Sequence, residues 1–234
     1  MTALEREIGE RLAGVRDRIE TAARRAGRDP GTVRLVAVSK TWGIEHVAAA
    51  VAAGQLDFGE NRVQEALQKI AASTETSIRW HLVGHLQSNK ARKAVGPFAC
   101  IHSVDRIELL DRLETTGAEL ARPVDLLVQV DLAGEFTKHG AVPDAARAIL
   151  DRARGCRYAR VVGLMLLPPF LDDPEAVRPW FRRLRGTRDR LAADGIPDTM
   201  LRELSMGMSH DFEVAIEEGA TMVRVGTAIF GSRG

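Results

Sequence analysis

Val33-Arg34-Leu35-Val36-Ala37-Val38-Ser39-Lys40 is a short apolar, β-branched run that ends in a lysine. With Pro30-Gly31 before it and Trp42-Gly43 after it, the run reads as a buried strand. The terminal lysine is its most informative residue. The chain has five lysines against 28 arginines, so its surface charge is built almost wholly from arginine. Desolvated lysine loses its proton readily and becomes an amine nucleophile for carbonyls, which arginine does not. A lysine at the mouth of an apolar strand is therefore either such a nucleophile or a side chain snorkelling out of a strand end. The segment alone does not separate the two.

Outward from this strand the pattern repeats. Strands are expected at 33–39, 56–59, 78–84, 98–104, 124–131, 160–167, 201–206 and 222–230. Helices are expected between them at about 43–53, 61–72, 88–95, 106–121, 143–153, 174–193 and 210–218. Strands alternating with helices argue for parallel βα units. Eight of them favour closure into a (β/α)8 TIM-type barrel over an open sheet. Before the first strand, Leu4, Ile8, Leu12, Val15, Ile19 and Ala22 recur at helical spacing among Glu and Arg. This predicts an amphipathic helix over 1–27, closed by Gly27 and packed on the barrel. With no repeat or linker in view, residues 1–234 are expected to form one α/β domain.

Composition narrows the function classes. The net charge of +1 leaves no basic excess for a polyanion, so neither nucleic acid nor a membrane surface is an expected partner. No segment approaches a transmembrane span, and the N-terminal helix is too acidic for a transit peptide, so a cytoplasmic location is expected. Cys100 and Cys156 form no metal or redox motif and are expected as thiols. His81 and His85 lie four apart on a strand-to-loop segment, without the HExxH pattern, and no metal is expected. The glycine-rich dinucleotide, P-loop and GxSxG motifs are also missing. The arginine-rich run from Arg178 to Arg190 reads as a solvated helix face, with Trp180, Phe181 and Leu184 turned inward.

In barrels of this kind, reactive residues gather where strands end and loops begin. Here those positions hold Lys40-Thr41, Phe58-Gly59-Glu60-Asn61, His81 with Gly84-His85, Ser205-Met206-Gly207-Met208-Ser209-His210-Asp211 and Val223-Arg224-Val225-Gly226-Thr227. The last two segments suit an anion. Small residues let backbone N–H groups reach it, and Ser209 reads as the N-cap of the next helix. A plain helix cap and a packing glycine would give the same pattern. Alternation along the last strand puts Val223 and Val225 on one face and Arg224 and Gly226 on the other. If the valines meet the helices, Arg224 points into the barrel, where it needs an acceptor; an ion pair with Glu60 is the structural option.

Taken together, Val38-Ser39-Lys40-Thr41, Phe58-Gly59-Glu60-Asn61-Arg62-Val63-Gln64-Glu65, His81-Leu82-Val83-Gly84, Leu86-Gln87-Ser88-Asn89-Lys90, Gly163-Leu164-Met165, Leu204 to Asp211 and Val223 to Gly231 resemble the YggS/PROSC family of pyridoxal phosphate homeostasis proteins. The resemblance runs in order from about residue 33 to the end. It implies the barrel of the alanine racemase N-terminal domain (PLP fold type III) without that enzyme's second domain. It implies that Lys40, the one candidate catalytic residue, holds pyridoxal 5′-phosphate (PLP) as a Schiff base. Ser205, Ser209, Gly226 and Thr227 would surround the phosphate, and Arg224 would face the pyridine nitrogen. Asn61, His81 and Met165 would line the ring or its 3′-oxygen side. Two departures fall on the rim: Asp131 where the family usually has Asn, and Trp42-Gly43 after Lys40-Thr41.

The function so implied is intracellular PLP (vitamin B6) homeostasis, with apo PLP-enzymes as possible recipients of the cofactor. A PLP-dependent amino-acid racemase is the alternative, and a cofactor-free Schiff-base aldolase a third. Racemisation needs a base on each face of the substrate carbon. The chain's single tyrosine, Tyr158, falls before the sixth strand, far from Lys40. A monomer with weak or no catalysis is therefore expected.

Overall fold

The structure, a computed structural model, describes residues 1–134 and 139–232. Eight parallel strands close into a barrel in chain order. They are β1 (Arg34–Val38), β2 (Asp57–Glu60), β3 (Arg79–Leu82), β4 (Cys100–Val104), β5 (Val124–Gln129), β6 (Ala159–Met165), β7 (Glu203–Met208) and β8 (Met222–Val225). β1 and β8 pair from Arg34↔Met222 to Ala37↔Val225, which closes the ring. The helices are α1 (Ala3–Arg25), α2 (Ile44–Ala52), α3 (Val63–Ala72), α4 (Ala91–Ala94), α5 (Ile107–Leu120), α6 (Pro143–Ala153), α7 (Arg178–Ala193), α8 (Phe212–Glu217) and α9 (Thr227–Phe230).

Alternation along the strands divides the interior. Leu35, Ala37, Val223 and Val225 face the helices and belong to the main core, with Leu109, Leu110, Leu113 and Leu126 fully buried in it. Each such side chain contributes about 1.5–3 kcal/mol by leaving water. A smaller core of Cys100, Leu127, Val162, Met165 and Met222 fills the barrel itself. α1 starts at a capping box in which Thr2 and Glu5 exchange hydrogen bonds, and it buries Ile8, Leu12, Val15 and Ile19. It packs on α2, α8 and α9, beside the strand that closes the ring.

All eight expected strands form, but the last is cut short. Expected over 222–230, it ends at Val225, and the chain turns into α9. Gly226 leaves the strand conformation at φ −117°, ψ −73°, and Ile229 and Phe230 are buried as helix residues. A continuous apolar run does not distinguish strand from helix by itself. The segments at 88–95 and 174–193 are each a 3₁₀ turn followed by a helix. Along α7, Phe181 and Leu184 are buried, while Arg178, Arg182 and Arg185 pair outward with Glu218 at 2.8–3.2 Å.

Candidate functional site

The turn after β1 carries Lys40. Trp42 N–H donates to the Ser39 carbonyl at 3.0 Å, and Thr41 sits between at φ 68°. A β-branched residue in the left-handed region is strained, at a cost of about 1–3 kcal/mol. A buried network holds the turn in place. Lys69 Nζ, from α3, donates to the Ser39 carbonyl at 2.8 Å, to Glu60 Oε1 at 2.6 Å and to Glu65 Oε1 at 3.2 Å. The Ser39 hydroxyl donates to Glu60 Oε1 at 2.6 Å, and Thr41 N–H donates to Glu65 Oε1 at 2.5 Å. Burial pushes the Glu60 carboxyl up, against the opposing hydrogen bonds from Lys69 and Ser39. Glu60 Oε2 is buried and has no partner among the described residues.

Two expectations change here. Lys40 is exposed, not desolvated, because the strand ends at Val38 and the turn lifts the side chain clear. It makes no ion pair or side-chain hydrogen bond among the described residues. Glu60 is the partner of Lys69, not of Arg224. Lys69 was legible only as a helix residue. Its signal was a rare lysine, four residues after Glu65, on the face that also buries Val63 and Ala66.

Across the β1–β8 seam lies a group of converging donors. The Ser209 hydroxyl oxygen accepts from Gly226 N–H at 3.0 Å and from Ala228 N–H at 3.4 Å. Ser209 thus serves the first turn of α9; the expectation that it is the N-cap of the helix after β7 is not met. Asp211 holds the N-cap position of α8, and its carboxylate accepts from Met208 N–H at 2.6 Å. Close approach explains two glycines. A Cβ on Gly226 would lie 3.1 Å from the Val38 carbonyl oxygen, and Gly207, at φ 91°, would place one 2.6 Å from Ala215 Cβ. Gly226 therefore abuts the end of β1, two residues before Lys40. Thr227 is exposed beside it.

Arg224 points into the barrel, as alternation required. It is buried, and it donates to Ser205 Oγ at 2.5 Å and to the Leu166 carbonyl at 2.8 Å. Burial draws its pKa down to about 10, with Asp211 opposing, so it remains a cation at neutral pH. Ser205 is fully buried, and its hydroxyl is engaged by Arg224 and by His102 Nδ1 at 2.9 Å. Of the two serines expected around a phosphate, only Ser209 reaches the converging N–H groups. Met165 is buried in the inner core, in register with Ser205. Both nitrogens of His81 are taken, by Asp57 at 2.9 Å and by His102 at 3.0 Å. Asn61 follows β2, with Gly84 packed so tightly on its carbonyl that a Cβ there would lie 2.2 Å from the oxygen.

On the rim, Trp42 packs against His46 and Phe230, and Asp131 Oδ1 accepts from Ala133 and Gly134 N–H at 2.9 Å, capping its loop. His85, Asp105 and His139 also gather there, with the two imidazoles stacked at 3.7 Å and 15°. Tyr158 precedes β6, at the opposite mouth. That mouth holds a cavity of about 460 Å³ lined by Arg16, Arg34, Asp57 and Arg79. It has no lysine, and reactive groups of such barrels sit at the other end.

Residues 11–234 match the family model described as alanine racemase, N-terminal domain. A pyridoxal phosphate homeostasis protein of Aquifex aeolicus is 43% identical over 224 residues, covering 96% of this chain and 97% of that one. The chain belongs to the pyridoxal phosphate homeostasis protein family. PipY, a Synechococcus elongatus structure with PLP bound, aligns at a TM-score of 0.85 and 41% identity, over 96% of this chain and all of that one. Alanine racemase of Clostridium difficile shares the fold at a TM-score of 0.75 and 13% identity. This chain covers 57% of that enzyme.

Proposed function

We propose that this chain binds pyridoxal 5′-phosphate at the C-terminal mouth of the barrel and acts in pyridoxal phosphate homeostasis. The observation that carries this reading is one juxtaposition. Lys40, on a braced and strained turn with an unpaired amine, follows by two residues the Val38 carbonyl on which Gly226 packs, and the N–H groups of Gly226 and Ala228 converge on an oxygen atom. The Ser209 hydroxyl oxygen accepts from both, and a phosphate oxygen is an acceptor of the same kind. The names of the relatives agree with this chemistry.

The residues divide the work. Lys40 supplies the amine for the cofactor's aldehyde. Ser209, Gly226 and Thr227 offer donors to its phosphate. Arg224, a buried cation inside the barrel, would offer N–H groups to the ring nitrogen and disfavour a proton there. When bound, PLP supplies a reactive carbonyl and an electron-withdrawing ring. Because Arg224 opposes protonation of the ring, and Tyr158 lies at the far mouth, the chain is better suited to holding the cofactor than to racemising amino acids. Exposure of Lys40 also suits release to apo-enzymes. We extend the proposal to a single barrel domain acting as a cytoplasmic monomer.

Loading the purified protein with PLP and recording its spectrum tests this. A visible band that borohydride alters, with the pyridoxyl group mapped to Lys40 and the cofactor transferable to an apo-enzyme, is the expected result. Label on Lys90 or Lys93 would overturn the site. Racemisation at about 1 s⁻¹ or faster would overturn the binding role in favour of an enzyme.

A further inference from the structure

A chain of buried polar groups runs along the inside of the barrel. It begins at Arg224, passes through Ser205, His102 and His81, and ends at Asp57, which Arg79 also holds at 2.8 Å. Its members come from five different strands, and all but Arg79 are buried. A half-satisfied chain of this kind would be costly, so its protons must be placed consistently.

Only one placement satisfies every group. Arg224 has no acceptor atom, so it donates to Ser205 Oγ. Asp57 stays ionised: burial raises its carboxyl, but His81 and Arg79 outweigh that and hold it at about 2. It therefore accepts from His81 Nε2–H. With His81 neutral, its Nδ1 is bare and accepts from His102 Nε2–H. His102 Nδ1 is then bare and accepts the Ser205 hydroxyl proton. Burial, with the nearby cations Arg224 and Arg34, holds His102 well below its ordinary pKa and so neutral. Were His81 an imidazolium, His102 would have to carry its proton on Nδ1 and donate to Ser205. The serine hydroxyl proton would then have no acceptor among the described residues.

We propose that Asp57, His81, His102 and Ser205 are positioning residues for Arg224, forming a one-way hydrogen-bond chain from its guanidinium to the Asp57 carboxylate. The chain fixes the guanidinium through Ser205 and links its buried charge, step by step, to a carboxylate at the far mouth. The last consequence rests on the PLP reading: the ring nitrogen meets a fixed donor that cannot give up its proton.

The test starts with the cofactor-free protein, so that it stands apart from the PLP reading. Nitrogen-15 spectra of labelled histidine at pH 7 are expected to show His81 and His102 both neutral, each with its proton on Nε2. A proton on Nδ1 of either ring, or an imidazolium at His81, overturns the proposal. In Ser205→Ala the His102 Nδ1 resonance should move toward that of a free imidazole nitrogen, while Ser209→Ala leaves both rings unchanged. An unmoved His102 in Ser205→Ala also overturns the chain. If that variant does not fold, the wild-type spectrum decides alone. In the loaded protein, Ser205→Ala should raise the dissociation constant for PLP about tenfold and change the pH dependence of the visible band, which mere packing at Ser205 would not.

Discussion

Gly226 donates its backbone N–H to the Ser209 hydroxyl at 3.0 Å, although 17 residues separate them. The contact ties the end of β7 to the first turn of α9. It gathers donors at the point where β8 gives way to a helix, beside the end of β1. A phosphate there would meet N–H groups that are already aligned.

This geometry predicts a large preference for the phosphorylated cofactor. Charge-assisted hydrogen bonds contribute roughly 1.5–3 kcal/mol each, so pyridoxal should bind at least tenfold more weakly than PLP. Titration of the visible band measures both. Equal affinities would place the anion elsewhere. Gly226→Val should weaken PLP binding as well, because its Cβ would press on the Val38 carbonyl at 3.1 Å.

Lys40→Ala should lose the visible band and keep the fold. The side chain is exposed and makes no ion pair among the described residues. Substitutions at such positions change stability by only about 0.5 kcal/mol. A thermal melt with the spectrum separates the two effects. A variant that still formed the band would remove Lys40 from its role.

The second lysine should behave in the opposite way. Lys69→Met leaves the fully buried Glu60 without its ion-pair partner. Removing one member of such a pair costs about 3–5 kcal/mol. Lys69→Met with Glu60→Gln should recover part of that loss, because the uncompensated charge is gone. Urea midpoints report this, and a double variant no more stable than the single one would show that the ion pair is not the cause.

Asp57 sets an acid limit. Its folded pKa, about 2, lies below the ordinary 3.8, so its stabilisation is present above pH 4 and is lost as pH falls through 2. The difference corresponds to about 2 kcal/mol. Asp57→Asn should be destabilised by that order at neutral pH, and the gap to wild type should narrow between about pH 4 and 2. A constant gap over that range would show that the carboxylate's charge is not what stabilises.

Much of this protein is legible in its residues, and the reason is local. The run 33–40 announces a strand because β-branched apolar residues suit a pleated, buried surface. Alternation alone sends Arg224 inward, since Val223 and Val225 must face the helices. Eight such strands, each followed by a helix, leave few topologies to choose from. Gly226 is open to two readings, an approach to an anion or a packing glycine, and its contact with Val38 fits the second.

The rest depended on which side chains meet across the barrel. Lys40 was expected to be desolvated, yet a turn two residues beyond β1 leaves it exposed. Ser209 looked like the cap of the next helix and instead accepts from α9, because nothing local says which N–H groups its oxygen will face. Neither Lys69, marked only as a rare lysine on a helix, nor His102 shows its partners in sequence. Their importance comes from closure of the barrel, which sets a helix lysine under the Ser39 carbonyl and lines up residues of five strands in one hydrogen-bond chain. Periodicity and propensity act over a few residues and can be read directly. The pairing of buried polar groups depends on contacts between residues as many as 103 apart, such as His102 and Ser205, and only the folded chain decides it.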